Sequence, residues 1–180
     1  MKRYAFPNGV GVLALAGVLA LLAFSTSPVS AQTPSATAAL KTAEGKDAGS
    51  VTLIQTPHGV LFAVTLKGLP PGERAFHVHA VGKCEPPFES AGGHFNPSNK
   101  KHGMHAAEGL HAGDMPNLHV PQSGELAVEV LNASITLEKG KPNSVFQPEG
   151  TAIIVHAGKD DYKSDPAGNA GGRIACGVIQ

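Results

Sequence analysis

Residues 50–67 decide the fold and read Ser50-Val-Thr-Leu-Ile-Gln-Thr-Pro-His-Gly-Val-Leu-Phe-Ala-Val-Thr-Leu-Lys67. Two runs of period-two or β-rich character, 50–56 and 60–67, flank the turn signal Pro57-His-Gly59. The same rhythm continues in six further short segments: 37–42, 75–79, 125–131, the weaker 134–137, 151–156 and 173–179. Short strands and regular turns, without a convincing amphipathic helix, predict an all-β antiparallel sandwich or barrel.

Two long stretches interrupt this rhythm. Residues 81–120 show little strand or helix pattern and are rich in Gly, Pro, His and Lys, and residues 157–172 form a second such stretch. A loop of that length inside a compact domain is either disordered or functional. A disulfide and a metal ion could order the first loop in place of an apolar core.

The N-terminus predicts a secretory signal peptide over residues 1–31. Lys2 and Arg3 precede an apolar run from Val10 to Phe24, and small residues follow at Val29-Ser-Ala31. The alternative, a membrane anchor, is disfavoured because the run is shorter than the roughly 20 residues that span a bilayer. We therefore expect one folded domain over 32–180 and an exported protein with no membrane partner in its mature form.

Charge and cysteine content narrow the classes of function. Lys2 and Arg3 are the only charged residues in 1–31, which leaves 12 basic and 14 acidic residues, a net charge of −2. Nothing in that balance indicates a nucleic-acid partner. The two cysteines, Cys84 and Cys176, lie in an exported chain, which favours a disulfide over two free thiols.

Six of the nine histidines, with one aspartate, fall at positions that could build a two-metal site. Imidazole suits zinc and copper equally. His77 and His79 are two apart in a predicted strand and so project from the same face. The first loop supplies three imidazoles and a carboxylate, a full tetrahedral set for zinc: His94, His102, His111 and Asp114. The alternative for these four is a solvated loop that is rich in histidine.

Three further residues have two interpretations each. His156 ends an apolar strand, where it is either a core histidine or the fourth ligand of a copper site with His77, His79 and His94. Asp160 could accept the second ring N–H of a ligand histidine, or lie in a solvated turn. Arg173 could attract a small anion or cap a loop.

Five motifs together resemble the copper/zinc superoxide dismutase family over essentially the whole mature chain. They are Phe76-His-Val-His-Ala80, Gly92-Gly-His-Phe-Asn-Pro97, Lys101-His-Gly103, His111-Ala-Gly-Asp114 and Gly168-Asn-Ala-Gly-Gly-Arg-Ile-Ala-Cys-Gly-Val-Ile179. Cys84 lies five residues after His79 and ten before His94, which resembles the bacterial exported branch of the family.

The resemblance implies an eight-stranded antiparallel Greek-key barrel or sandwich of Ig-like architecture, with both metals held outside it by two long functional loops. It implies that Asp160 links the two metal sites and that Cys84 pairs with Cys176. The implied metal ligands are His77, His79, His94 and His156 for copper, and His94, His102, His111 and Asp114 for zinc.

The implied function is dismutation of superoxide to dioxygen and hydrogen peroxide, as antioxidant defence. A histidine-bound copper is alternately reduced and oxidised, and a neighbouring structural zinc holds His94. The catalytic residues are then His94, which carries a proton, and Arg173, which guides superoxide. The expected location is the periplasm, and the motifs fit a monomer and a homodimer alike.

Two alternatives to a superoxide dismutase belong to other classes of protein. One is a periplasmic copper- or zinc-binding buffer without turnover, which would not need Arg173 or Asp160. The other is a catalytically dead relative, which the presence of all four copper histidines disfavours. A blue-copper protein is disfavoured because that site requires a free cysteine thiolate.

Overall fold

The computed structural model of the chain describes residues 1–3 and 33–180, so the predicted signal peptide lies almost wholly outside the described residues. Residues 33–180 contain nine β-strands and one short 3-10 helix, η1. Their bounds are β1 Ser35–Thr42, β2 Asp47–Thr56, β3 Gly59–Leu66, β4 Gly72–Arg74, β5 Phe76–His79, η1 Glu89–Ala91, β6 Leu118–Val120, β7 Leu126–Asn132, β8 Ala152–His156 and β9 Arg173–Val178.

Seven strands form one antiparallel sheet in the order β5-β8-β9-β1-β2-β3-β7, and β4 pairs with β6 in a second sheet. The hairpin β2–β3 pairs Thr56 with Gly59 at its turn, where the sequence predicted one. Because β3 neighbours β7 and β1 neighbours β9, the chain crosses between distant strands, as in a Greek key.

One hydrophobic core joins the two ends of the seven-stranded sheet, which must therefore curl. Phe62 of β3 packs edge-to-face against Phe76 of β5, with ring centroids 6.1 Å apart, although these strands lie far apart in the sheet order. The same core contains Leu53 of β2 and Ile153 of β8. The inward side chains of β1, Ala36, Ala38 and Leu40, are buried at alternate positions, as in a strand with one face on the core.

Strands β5 and β8 are buried on both faces, which distinguishes them from β1. All residues of both strands are buried. Val78 and Ile153 point into the main core, whereas Ile154 faces a smaller cluster with Phe88 and Cys176 beneath the first loop. The outward face of these two strands is thus covered by loop, and His77, His79 and His156 lie on that face.

The strand count differs from the eight predicted. Residues 134–137 contribute only an isolated bridge, Thr136 to Ser144. The side chain of Gln55 accepts hydrogen bonds from Thr136 Oγ1 and Leu137 N, so it replaces a strand partner there. The two additional strands, β4 and β6, have three residues each, too few to show a two-residue period.

In residues 1–3 and 33–180, no helix is long and apolar enough to cross a bilayer. The two interruptions predicted in the sequence are loops for most of their length. The first also contains η1 and β6, and both loops lie against β5 and β8, where they complete the site described next.

Candidate metal centre

Strand alternation places three histidines on the covered outer face of the barrel. His77 and His79 flank the inward Val78 on β5, and His156 ends the neighbouring β8. The strands pair His77 with Ile154, so His156 lies diagonally across from His77. The ring centroid of His156 is 5.2 Å from that of His77 and 5.6 Å from that of His79.

A fourth histidine, His94, arrives from the first loop because that loop pairs with the free edge of β5. His79 and His94 form an antiparallel bridge, and Phe95 N donates to Val78 O at 2.8 Å. Gly113 continues this edge: its carbonyl accepts from Val78 N at 2.9 Å. A Cβ at Gly113 would overlap Val78 O, so this close approach requires glycine.

These four histidines direct bare nitrogen atoms at one point. His77 Nδ1, His79 Nε2, His94 Nε2 and His156 Nε2 are buried and have no hydrogen-bond partner among the described residues. The donor atoms of the group lie within 4.8 Å of one another. Four unpaired buried nitrogens are costly in a protein interior, and a bound cation would satisfy all of them.

The opposite ring nitrogens fix the tautomers of two of these histidines. His79 Nδ1 lies 2.9 Å from Gly92 O, and His156 Nδ1 lies 3.2 Å from Gly171 O. Because a carbonyl oxygen only accepts, each Nδ1 carries the proton and leaves Nε2 with a free lone pair. Both rings therefore present a metal-ligand atom toward the centre of the group.

The second group consists of His94, His102, His111 and Asp114, which shares His94 with the first. Asp114 Oδ1 lies 2.8 Å from His94 Nδ1, 3.1 Å from His102 Nδ1 and 3.4 Å from His111 Nδ1. Four donors in a tetrahedron about 2.0–2.1 Å from one zinc ion lie roughly 3.3–3.4 Å apart. The group therefore fits a tetrahedral zinc with little movement.

Asp114 is held as a carboxylate at the centre of the second group. Its Oδ2 accepts from Gly103 N and His111 N, each at 2.9 Å. Burial raises the pKa of Asp114, but hydrogen bonds from His102, His111 and His94 outweigh burial and hold the pKa far below its usual range. The group therefore has a fixed negative charge to offset a cation.

Asp160 connects the two groups. Its Oδ2 lies 2.7 Å from His77 Nε2, and its Oδ1 lies 3.0 Å from His102 Nε2. Asn117 fixes the backbone of Asp160 from both sides, since Asp160 N donates to Asn117 Oδ1 at 2.8 Å and Asn117 Nδ2 donates to Asp160 O at 2.9 Å. Burial raises the pKa of Asp160, but bonds to His102 and His77 lower it more, so the carboxylate is ionised.

His102 differs in charge from three other histidines of the two groups. Burial lowers the pKa of His94 to about 4 and that of His156 to about 3, and it lowers the pKa of His79 well below its usual value. These three rings are neutral at pH 7, as metal ligands must be. Burial also lowers the pKa of His102, but hydrogen bonds to Asp114 and Asp160 raise it to about 9, so a metal ion displaces a proton there.

Arg173 lies beside the first group and is held by backbone carbonyls. Its Nη1 donates to Phe88 O at 2.6 Å and its Nη2 to Gly92 O at 2.7 Å. Gly92 O is also the acceptor for His79, so the guanidinium and a ligand ring share one anchor. Glu89, with a side chain 77% exposed, lies 3.8 Å from Nη2. Arg173 caps the loop and also places a positive charge beside the histidines.

The disulfide predicted between Cys84 and Cys176 is present, with Cα atoms 5.7 Å apart and a sequence separation of 92. It ties the first loop to β9, the strand that begins with Arg173. Closing a chain segment of that length contributes on the order of 4–5 kcal/mol by chain-entropy arithmetic. The bridge thus holds the Phe88 and Gly92 carbonyls against Arg173.

Comparison with known proteins agrees with this geometry. The family model described as copper/zinc superoxide dismutase matches residues 47–179. The protein named superoxide dismutase Cu-Zn 2 of Aquifex aeolicus is 54% identical over 168 residues, which are 92% of this chain and 96% of the relative. The chain belongs to the copper/zinc superoxide dismutase family.

Solved structures of the superoxide dismutase fold match the barrel as well. A SOD-like protein from Bacillus subtilis superposes with a TM-score of 0.77 at 37% identity, covering 80% of this chain and 97% of that one. The Cu/Zn superoxide dismutase from Brucella abortus gives a TM-score of 0.68 at 30% identity, covering 82% and 100% of the two chains. The Greek-key barrel predicted from the sequence is confirmed.

The structure brings together all residues of both metal groups predicted from the sequence, and it places Asp160 and Arg173 against them. The three remaining histidines lie outside both groups: His58 in an exposed turn, His105 against the Tyr162 ring at a centroid distance of 5.7 Å, and His119 on β6 near Glu73. The sequence did not indicate that Asn117 and Asp165 contact the site. Asn117 belongs to no metal-ligand pattern, and nothing in the sequence distinguishes Asp165 from the other acidic residues of the second loop.

Proposed function

We propose that this chain dismutates superoxide to dioxygen and hydrogen peroxide, with copper held by His77, His79, His94 and His156 and zinc by His94, His102, His111 and Asp114. The observation that carries the proposal is the set of four buried imidazole nitrogens without hydrogen-bond partners. One of their rings, His94, also belongs to the second group. Family membership and the name of the Aquifex aeolicus relative support the same function.

The reaction converts two superoxide anions and two protons into one dioxygen and one hydrogen peroxide. Copper, when bound, supplies the one-electron chemistry by accepting an electron from one superoxide and donating it to another. The residues must therefore deliver protons, attract an anion and keep the ligand rings in place.

His94 is the residue proposed to carry a proton. We call the first group the copper group and the second group the zinc group. His94 Nδ1 lies against Asp114 in the zinc group, whereas His94 Nε2 faces the copper group without a hydrogen-bond partner among the described residues. His94 Nε2 accepts a proton in one half of the cycle and releases it toward peroxide in the other.

Arg173 is proposed to attract superoxide. Its guanidinium is anchored by two carbonyls, so its position beside the copper group costs no ordering when the anion arrives. Replacing Arg173 with Ala should slow superoxide removal while copper remains bound. An unchanged rate would mean that Arg173 only caps the loop.

The N-terminal sequence and the disulfide support export of the protein. We infer that residues 1–31 are removed on export and that the mature chain, 32–180, works in the periplasm, where disulfides persist. Mass spectrometry of the exported protein tests the cleavage point. The native mass in solution distinguishes a monomer from a homodimer.

Substitution of His156 by Ala tests the copper assignment. His156 provides a buried nitrogen to the first group alone, so the variant should lose superoxide removal down to the background rate and still bind zinc. His119→Ala is the matched control, because this exposed histidine belongs to neither group. Full activity in the His156 variant would refute the copper site; tight copper binding by the unaltered protein without turnover would favour a metal buffer.

A further inference from the structure

The carboxylate of Asp165, in the second loop, contacts the zinc group from outside. Its Oδ1 accepts a hydrogen bond from His102 N at 2.9 Å and lies 4.0 Å from His111 Nε2. Its Oδ2 lies 3.3 Å from Lys101 Nζ. One side chain from the second loop thus touches the backbone of one zinc-group residue, faces the ring of another and pairs with the neighbouring lysine of the first loop.

Asp165 also faces His111 Nε2, the outer ring nitrogen of a zinc-group histidine. In the zinc group, His94 directs its second nitrogen at the copper group, and His102 directs its second nitrogen at Asp160. The second nitrogen of His111 faces Asp165. At 4.0 Å the carboxylate makes no hydrogen bond to His111 Nε2, but it places a negative charge behind a ligand histidine, which favours a bound cation.

We propose that Asp165 is a positioning residue that strengthens zinc binding, by its negative charge behind His111 and by fastening the second loop to His102. The inference rests on the proposed assignment of zinc to the group of His94, His102, His111 and Asp114. It adds an outer carboxylate to that group alone, since the contacts of Asp165 are with zinc-group residues and Lys101.

The charge of Asp165 is available for this role at neutral pH. A half-exposed aspartate carboxylate is ionised at neutral pH. The Asp165 side chain is 45% exposed, and Lys101 offsets part of the charge. The effect on zinc is therefore expected near the low end of the range for outer partners of metal ligands.

Zinc affinity of the metal-free mature protein tests the proposal, measured by competition with a chromophoric chelator. Asp165→Asn keeps the shape and an oxygen acceptor for His102 N but removes the charge, and Asp165→Ala removes both. Asp47→Asn is the matched control: Asp47 also pairs with a lysine, Lys67 at 2.7 Å, and accepts from a backbone amide, Gly49 N at 2.9 Å, but it lies outside both metal groups.

We expect the zinc dissociation constant to rise about tenfold in Asp165→Asn and further in Asp165→Ala, with copper affinity unchanged in both. Asp47→Asn should bind zinc as the unaltered protein does. Unchanged zinc affinity in Asp165→Asn would overturn the inference, as would an equal loss of copper affinity, which would indicate general loosening of the loops. Failure of the unaltered protein to bind zinc would instead refute the proposed zinc site, and this inference with it.

Discussion

At the scale of single residues, burial and hydrogen bonding together make the centre ready for cations. Burial keeps His79, His94 and His156 neutral, and carbonyl acceptors at Gly92 and Gly171 orient two of the rings. The negative charges are Asp114 and Asp160, which lie within or between the groups. These contacts fix the charge and the orientation of the side chains that would hold the two metal ions.

The raised pKa of His102 predicts a pH dependence for zinc binding. Since hydrogen bonds to Asp114 and Asp160 raise this pKa to about 9, His102 is protonated in the metal-free protein at pH 7. Zinc must displace that proton, so the association constant should rise about tenfold per pH unit between pH 7 and 9. Chelator competition across this range measures the slope, and a flat profile would show that His102 is already neutral.

The raised pKa of His102 also determines how the stability of the metal-free protein depends on pH. The pKa of His102 is raised above its ordinary value of 6.5. Its contribution to stability is therefore complete below pH 6.5 and is lost as pH rises through about 9. Bound zinc replaces the proton, so this loss should disappear in the zinc-loaded protein.

At the scale of elements, two strands and two loops share the work. Strands β5 and β8 are buried on both faces and supply rigid positions for three copper-group histidines. The first loop supplies His94, His102, His111 and Asp114, and the second supplies Asp160. Asp160 and the disulfide join these loops to each other and to β9.

Gly168 is a point at which the second loop has no room for a side chain. Its φ is +66°, and a Cβ there would collide with Asp160 Oδ1 and come within 2.7 Å of His102 Nε2. Gly168→Ala should weaken zinc binding and lower the free energy of unfolding by about 1–3 kcal/mol more than Gly140→Ala. Chemical denaturation and zinc competition measure both effects.

Gly140 is a suitable control for that substitution. Its φ of +80° imposes a similar backbone strain on alanine, but no atom lies within 4 Å of the added Cβ. Equal effects of the two substitutions would mean that backbone strain alone matters and that the contact of Gly168 with Asp160 is unimportant.

Predictability from sequence also differs between these elements. The two-residue period located β3 and the histidine face of β5. Metal-ligand chemistry, together with the family resemblance, predicted two ligand sets whose residues the structure brings together. The sequence could not reveal β4 and β6, which are too short for a period, or the absence of a strand at 134–137, where the Gln55 side chain replaces a strand partner. Backbone acceptors such as Gly92 O depend on the folded path of the loop rather than on residue type.

At the scale of the whole molecule, the curled barrel and its outer loops have separate tasks. The main core, which contains Leu53 of β2 and Ile153 of β8, holds the curled sheet closed. The metal groups lie on the outer face of the sheet. The first loop packs Phe95 and Met115 into this main core and Phe88 into a smaller cluster. The disulfide and Asp160 add contacts that hold the loops in place. Apolar packing is thus present in the first loop, whereas the sequence suggested that a disulfide and a metal ion could take its place.

Metal content and superoxide removal, determined on one sample of the purified mature protein, are the first measurements to make on the proposed copper and zinc centre. We expect about one copper and one zinc per chain, one for each ligand group, together with catalytic removal of superoxide. Copper should be added back if the sample contains zinc alone. A fully loaded protein that binds both metals but removes no superoxide beyond the background rate would refute the proposed dismutase activity and identify a metal buffer.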